Sequence, residues 1–206
     1  FLIDKFENHK KTQEYFKSLN KFYKDTKRKG GTMSMNIDNL AKSILEKYDL
    51  LELPVDPFKL AHIENIDIYN ANFKKLDQDY VLGAIQKDKN ENISIYINER
   101  DAYTRRRFTL AHELGHYYLG HLNGHANQIV ELERNAGYNT NNIQEIQANQ
   151  FAASLLMEKS SVIEYYNILK NSNHTFNYIL ATLSDIFGVS QQAMNFRLKN
   201  LGLLND

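Results

Sequence analysis

The chain has 206 residues, 42% hydrophobic and 24% charged, enough to bury one sizeable core. Its 25 basic and 25 acidic residues cancel, so no overall field draws it toward nucleic acid or an anionic membrane. Cysteine is absent, which excludes disulfides and thiolate metal sites and leaves imidazole and carboxylate as ligands for any transition metal.

No run approaches the roughly 18 apolar residues of a membrane span, and the opening FLIDKFENHKK has no signal-like apolar stretch. A cytoplasmic location is the expectation. Residues 1–31 hold nine Lys and Arg against Asp4, Glu7, Glu14 and Asp25. Tyr15, Phe16, Leu19, Phe22 and Tyr23 fall there at helical spacing, which suggests a short amphipathic helix. The following Lys29–Met33, KGGTM, is what a ribosome-binding site and start codon would encode in frame. Residues 1–32 therefore read as a basic extension outside the native product, with Met33 or Met35 as its start.

A compact pattern begins after that point. Residues 37–48 read as a helix with Ile37, Leu40, Ala41, Ile44 and Leu45 on one face. Asp56 before Pro57 is a cap followed by proline at the first helical position, so a second helix starts there. Three strand-like runs follow, near 66–70, 79–87 and 91–98, and suggest a small, largely antiparallel sheet. Asp101 is the expected cap of a long helix through Arg105–Arg107 and AHELGHYYLGH to about Leu122, stopped near Gly124. A polar stretch, 124–142, is long enough to read as a lid or binding loop. Helices over IQEIQANQFAASLLM, SSVIEYYNILK, FNYILATLSDIFG and SQQAMNFRLKNLG complete the chain. The expected fold is α+β and mostly helical, with a three-stranded sheet beside the histidine-bearing helix. The expected division is a main domain over 36–158, which holds the sheet and the histidine-bearing helix, and a helical C-terminal subdomain over 159–206.

His112, Glu113 and His116 form the pattern H-E-x-x-H on that long helix. Positions four apart lie about 40° apart on a helix, so the two imidazoles converge on one point. That suits two of three protein ligands of an open zinc site, with Glu113 placed to take a proton from a metal-activated water. Gly115 costs about 1 kcal/mol relative to alanine in a helix interior, which suggests that something packs close to its backbone. His121 lies about 140° from His116 if the helix continues, pointing away from the metal face as a surface or helix-end histidine. His125 lies past the expected stop, and nothing in its spacing requires it. Glu145 is the better third ligand, and Asn149, one turn on, is placed to accept the ring N–H of a metal-bound histidine. Spacing alone leaves Glu145 close to parity with an exposed helix carboxylate.

The segments RRRFTLAHELGHYYLGH, EIQANQFAASLLM and LATLSDIFGVSQQAMNFRLKNLGL, with the lead-in LPVDPFKLAHIENIDIY, resemble the ImmA/IrrE family of metallopeptidases over about residues 36–204. The resemblance implies a minimal thermolysin-like, gluzincin-like fold. It also implies one Zn2+ per chain on His112, His116 and Glu145, with Glu113 as general base. The implied partner is a protein substrate, often a helix-turn-helix repressor of a phage or mobile element, whose cleavage derepresses genes. Glu158 departs from the proline that many members carry after LLM, and this leaves the path of the next segment open. An oxyanion donor is expected, with Tyr80, His125, Tyr138 and Arg105 as candidates.

Two competing readings come from other classes. LSDIFGVSQQAMNFRLKNLGL has the outline of a helix-turn-helix, with Gly188 at the turn and Gln191, Gln192, Asn195 and Arg197 on the second helix. Its charge balance is zero from His174 to Asp206, whereas phosphate contacts need clustered positive charge, so packing is preferred over DNA binding. The other reading is a metal-dependent sensor with little proteolysis. The Arg105–Arg107 run reads as a solvated helix face.

Overall fold

The structure, a computed structural model, describes residues 36–73, 81–122, 129–133, 143–172 and 174–204. Helix α1 spans Ile37–Lys47 and is capped by the Asn36 side chain, which accepts the Asn39 N–H. Helix α2 spans Pro57–Ile63, where the Asp56 carboxylate accepts the N–H groups of Phe58 and Lys59. Both caps are local, and the Asp56 cap acts where the sequence places it.

Strands β1 (Asp67–Ala71), β2 (Val81–Lys87) and β3 (Ile93–Asn98) form as expected, and a fourth, β4 (Ile129–Glu133), joins them in the order β1-β3-β2-β4. The sheet is mixed: β1 runs parallel to β3, while β2 is antiparallel to both β3 and β4. β4 arises inside the stretch read as a polar loop. Five residues of IVELE carry too short a periodic signal to register against polar neighbours, and their pairing with β2 supplies the missing order. In β3, Ile93, Ile95 and Ile97 are buried while Ser94 and Tyr96 between them are partly exposed. This alternation presents one apolar face to the helices.

Helix α3 (Tyr103–Tyr118) lies across that face. It starts after Ala102, which makes no side-chain cap bond, so Asp101 is not its cap. It ends four residues earlier than expected. Gly120, at φ 73°, carries the chain through a left-handed turn in which Gly120 N–H reaches Tyr117 O at 3.2 Å and His121 N–H reaches His116 O at 3.0 Å. Gly120, rather than Gly124, supplies the stop.

Helices α4 (Ile143–Leu156), α5 (Lys159–Asn171), α6 (Phe176–Phe187) and α7 (Gln191–Asn200) follow. Glu158 caps α5, accepting the Ser161 N–H at 2.8 Å, so the segment after LLM turns directly into a helix. One core runs from Ile37 through Ile95, Leu114 and Phe151 to Leu198. Its C-terminal edge is pinned by polar ties. Arg107 is buried, not solvated, because its face of α3 meets the C-terminal helices: its guanidinium donates to Val55 O at 2.7 Å and Phe187 O at 3.3 Å. Arg197 turns inward as well, donating to Asp38 at 2.6 Å and to Met157 O at 3.0 Å. The only arginine between His174 and Asp206 is thereby committed to the interior rather than to phosphate. Among the described residues, no helix is long and apolar enough to cross a membrane.

Candidate metal centre

The site is built by one close helix crossing. α3 and α4 meet at Gly115, where an added Cβ would stand 3.0 Å from Ala148 Cα and 3.2 Å from Phe151 Cβ. A side chain at this position would push the two backbones apart by a few tenths of an ångström, so glycine favours the close approach. Tyr118 stacks on Phe151 one turn further along, with ring centroids 5.5 Å apart. On the sheet side, a Cβ at Gly83 would collide with the Thr109 methyl and crowd a Glu113 oxygen. Two glycines therefore hold α3 tightly between sheet and α4.

The crossing brings three groups to one point. His112 Nε2 lies 3.1 Å and His116 Nε2 3.2 Å from the Glu145 carboxylate, and the two Nε2 atoms are 3.0 Å apart. Four-coordinate ligand atoms at metal distances of about 2.0–2.1 Å stand about 3.3 Å from one another. The cluster is thus the size that a divalent cation requires. Both imidazoles are fully buried, whereas the Glu145 side chain is 25% exposed, so the cluster is reached from the α4 side.

The electrostatics agree with that chemistry. Burial lowers the pKa of His112, which keeps the ring neutral with a lone pair to offer. Burial alone would raise the pKa of Glu145, but hydrogen bonds and charge from His112 and His116 outweigh it and hold the group as a carboxylate. Glu113 is different. It is fully buried, neither of its oxygens has a hydrogen-bond partner among the described residues, and burial followed by the Glu145 charge pushes its pKa well above the usual carboxylate range. An orphaned buried carboxyl beside a cluster of ligand atoms fits a site that takes up an ion or a water.

Asn149, on α4 one turn after Glu145, places Oδ1 3.0 Å from His112 Nδ1. His121 does not face away. The turn at Gly120 folds it back, so that its Nδ1 is 3.0 Å from His116 Nδ1 and its Nε2 is 3.3 Å from Gln147 Oε1. The helical projection failed because the helix had already ended. Arg105 is exposed on the first turns of α3, while Tyr80, His125 and Tyr138 lie outside the described residues, as does the basic segment 1–32.

A second polar cluster closes the end of α3. Glu64, buried at the end of α2, accepts from the hydroxyls of Tyr48 at 2.5 Å, Tyr118 at 3.0 Å and Tyr117 at 3.1 Å. Burial, with the neighbouring Glu64 charge, raises the Tyr118 pKa well above its ordinary value and keeps the phenol a donor. The tyrosine pair after His116 carried the signal for this cluster, but its acceptor lies more than fifty residues upstream.

The sequence model of a peptidase family described as the IrrE N-terminal-like domain matches residues 63–199, more than half of the chain. The chain belongs to this family. The match runs from the end of α2 through α7, so it takes in the sheet, both site helices and the C-terminal helices. No curated protein matches the chain. Membership makes the chain a peptidase by family, and the His112, His116 and Glu145 cluster is its candidate metal site.

Proposed function

We propose that the chain is a zinc-dependent endopeptidase with one Zn2+ on His112, His116 and Glu145, and Glu113 as general base. The observation that carries this reading is the convergence of two Nε2 atoms and a carboxylate within 3.0–3.2 Å, beside a buried glutamate with no partner among the described residues. Two imidazoles and one carboxylate, without thiolate, form a donor set used by catalytic zinc. When bound, the metal supplies Lewis acidity that makes water nucleophilic near neutral pH and polarises the peptide carbonyl.

The chain's own residues do the rest. Glu113 accepts the proton of the attacking water as the C–O bond forms, then returns it to the leaving amine as the C–N bond breaks. Its buried, low-dielectric surroundings keep its proton affinity high enough for both transfers. Asn149 accepts the His112 Nδ1–H and so leaves Nε2 as the lone-pair nitrogen.

The substrate we propose is a helix-turn-helix repressor of a phage or mobile element, whose cleavage derepresses genes in the cytoplasm. The resemblance of the HELGH and EIQANQFA segments supports that class. Metal analysis, together with incubation of wild type and Glu113→Gln with the repressor encoded beside the gene, tests the reading by mass spectrometry. Wild type should carry one zinc and cut the repressor at a defined bond, while Glu113→Gln keeps the zinc and leaves the repressor intact. Equal biological activity of the two proteins would instead identify a metal-dependent sensor.

A further inference from the structure

Two side chains of α4, Asn149 and Gln147, end two hydrogen-bond chains that begin at the candidate ligands. One chain is direct, from His112 Nδ1 to Asn149 Oδ1 at 3.0 Å. The other passes through a third imidazole, from His116 Nδ1 to His121 Nδ1 at 3.0 Å and from His121 Nε2 to Gln147 Oε1 at 3.3 Å. The rings of His116 and His121 meet edge to face at 5.0 Å.

Proton accounting gives this chain a direction. His116 Nε2 faces His112 Nε2 and Glu145, so to hold a cation it must be unprotonated. The single proton of a neutral His116 then sits on Nδ1 and is donated. His121 Nδ1 must accept it, which puts the proton of a neutral His121 on Nε2, aimed at Gln147 Oε1. An amide oxygen only accepts, so the order of donors and acceptors runs one way from ligand to amide.

We propose that His121 is a positioning residue for the metal, held by Gln147 as the Nε2–H tautomer that receives the His116 Nδ1–H and aims its Nε2 lone pair into the site. The role is one that carboxylates, carbonyls or water usually fill beside a metal-binding histidine. Here a neutral imidazole fills it, and the left-handed turn at Gly120 delivers that imidazole. The inference rests on the metal reading of His112, His116 and Glu145.

Zinc affinity, measured by competition with a chromophoric chelator, tests it on the full chain. His121→Ala should weaken zinc binding roughly tenfold to a hundredfold. His121→Asn should restore most of the loss, because Asn Oδ1 falls where the histidine Nδ1 was and can accept the same proton. Gln147→Ala should cost less than His121→Ala. Long-range 1H–15N spectra of the zinc-loaded wild type, which need no variant to fold, should show His116 protonated at Nδ1 and neutral His121 protonated at Nε2. His121→Ala binding zinc within twofold of wild type, or His121 protonated at Nδ1, overturns the proposal. Failure of wild type itself to bind zinc stoichiometrically would overturn the metal reading, a separate outcome.

Discussion

Glu64 and Glu113 are both buried carboxyls packed along α3, and the fold treats them in opposite ways. Glu64 receives three tyrosine hydroxyls. Glu113, one turn before Tyr117 on the same helix, has no partner for either oxygen among the described residues. A satisfied buried network rigidifies its surroundings, whereas an unsatisfied buried acid is tolerated where its affinity for a proton, a water or a cation is put to use. The first anchors the end of the helix, and the second waits for what the site binds.

The largest expected effect separates the two chemically. Glu113→Gln should reduce peptide hydrolysis by about a thousandfold, within the usual range for loss of a general base, with zinc content unchanged. Its stability should respond to pH in the opposite sense from an ordinary acid. Because the folded-state pKa of Glu113 is raised, its stabilising contribution to the metal-free protein is present at low pH and is lost as pH rises through that value. Thermal melts in chelator should therefore show wild type losing stability relative to Glu113→Gln as pH rises above the ordinary carboxylate range. Parallel curves would remove the distinction between the two glutamates.

Glu64→Ala should leave zinc affinity nearly unchanged but cost about 3 kcal/mol in urea unfolding, since the buried hydroxyls of Tyr117 and Tyr118 and the half-buried hydroxyl of Tyr48 lose this acceptor. Zinc loss on the same scale would show that the cluster shapes the site instead of merely anchoring its helix.

The smallest effect belongs to a third carboxylate that is only partly buried. Burial would raise the pKa of Asp38, but hydrogen bonds from Ser154 and Arg197, with the Arg197 charge, hold it below the usual range. Asp38→Asn should cost about 1–2 kcal/mol at neutral pH. That contribution is fully present above about pH 4 and is lost as pH falls through the depressed folded value, so wild type and variant should converge in urea melts as the pH is taken below it. A constant gap would assign the tie to packing rather than to charge.

Much of this was legible locally. The apolar periodicity of α1, the Asp56–Pro57 start of α2 and the isoleucine alternation of β3 depend on neighbours a few residues away, and each appears where those signals lie. Gly115 announced a close approach, and Ala148 supplies it. The failures concern longer range. The inward turn of Arg107, read as part of a solvated face, depends on carbonyls at Val55 and Phe187, which no spacing rule connects to it. The parallel pairing of β1 with β3, and the addition of β4, are choices of partner that the strand-like runs do not encode.

By itself, the sequence determined that two imidazoles share one face of a helix with a glutamate between them, because helical periodicity is a property of the local backbone. Which carboxylate meets those imidazoles was decided by the α3–α4 crossing at Gly115. Where His121 points was decided by one left-handed residue, Gly120. Both outcomes rest on contacts or backbone states outside the helical repeat, and only the folded chain expresses them.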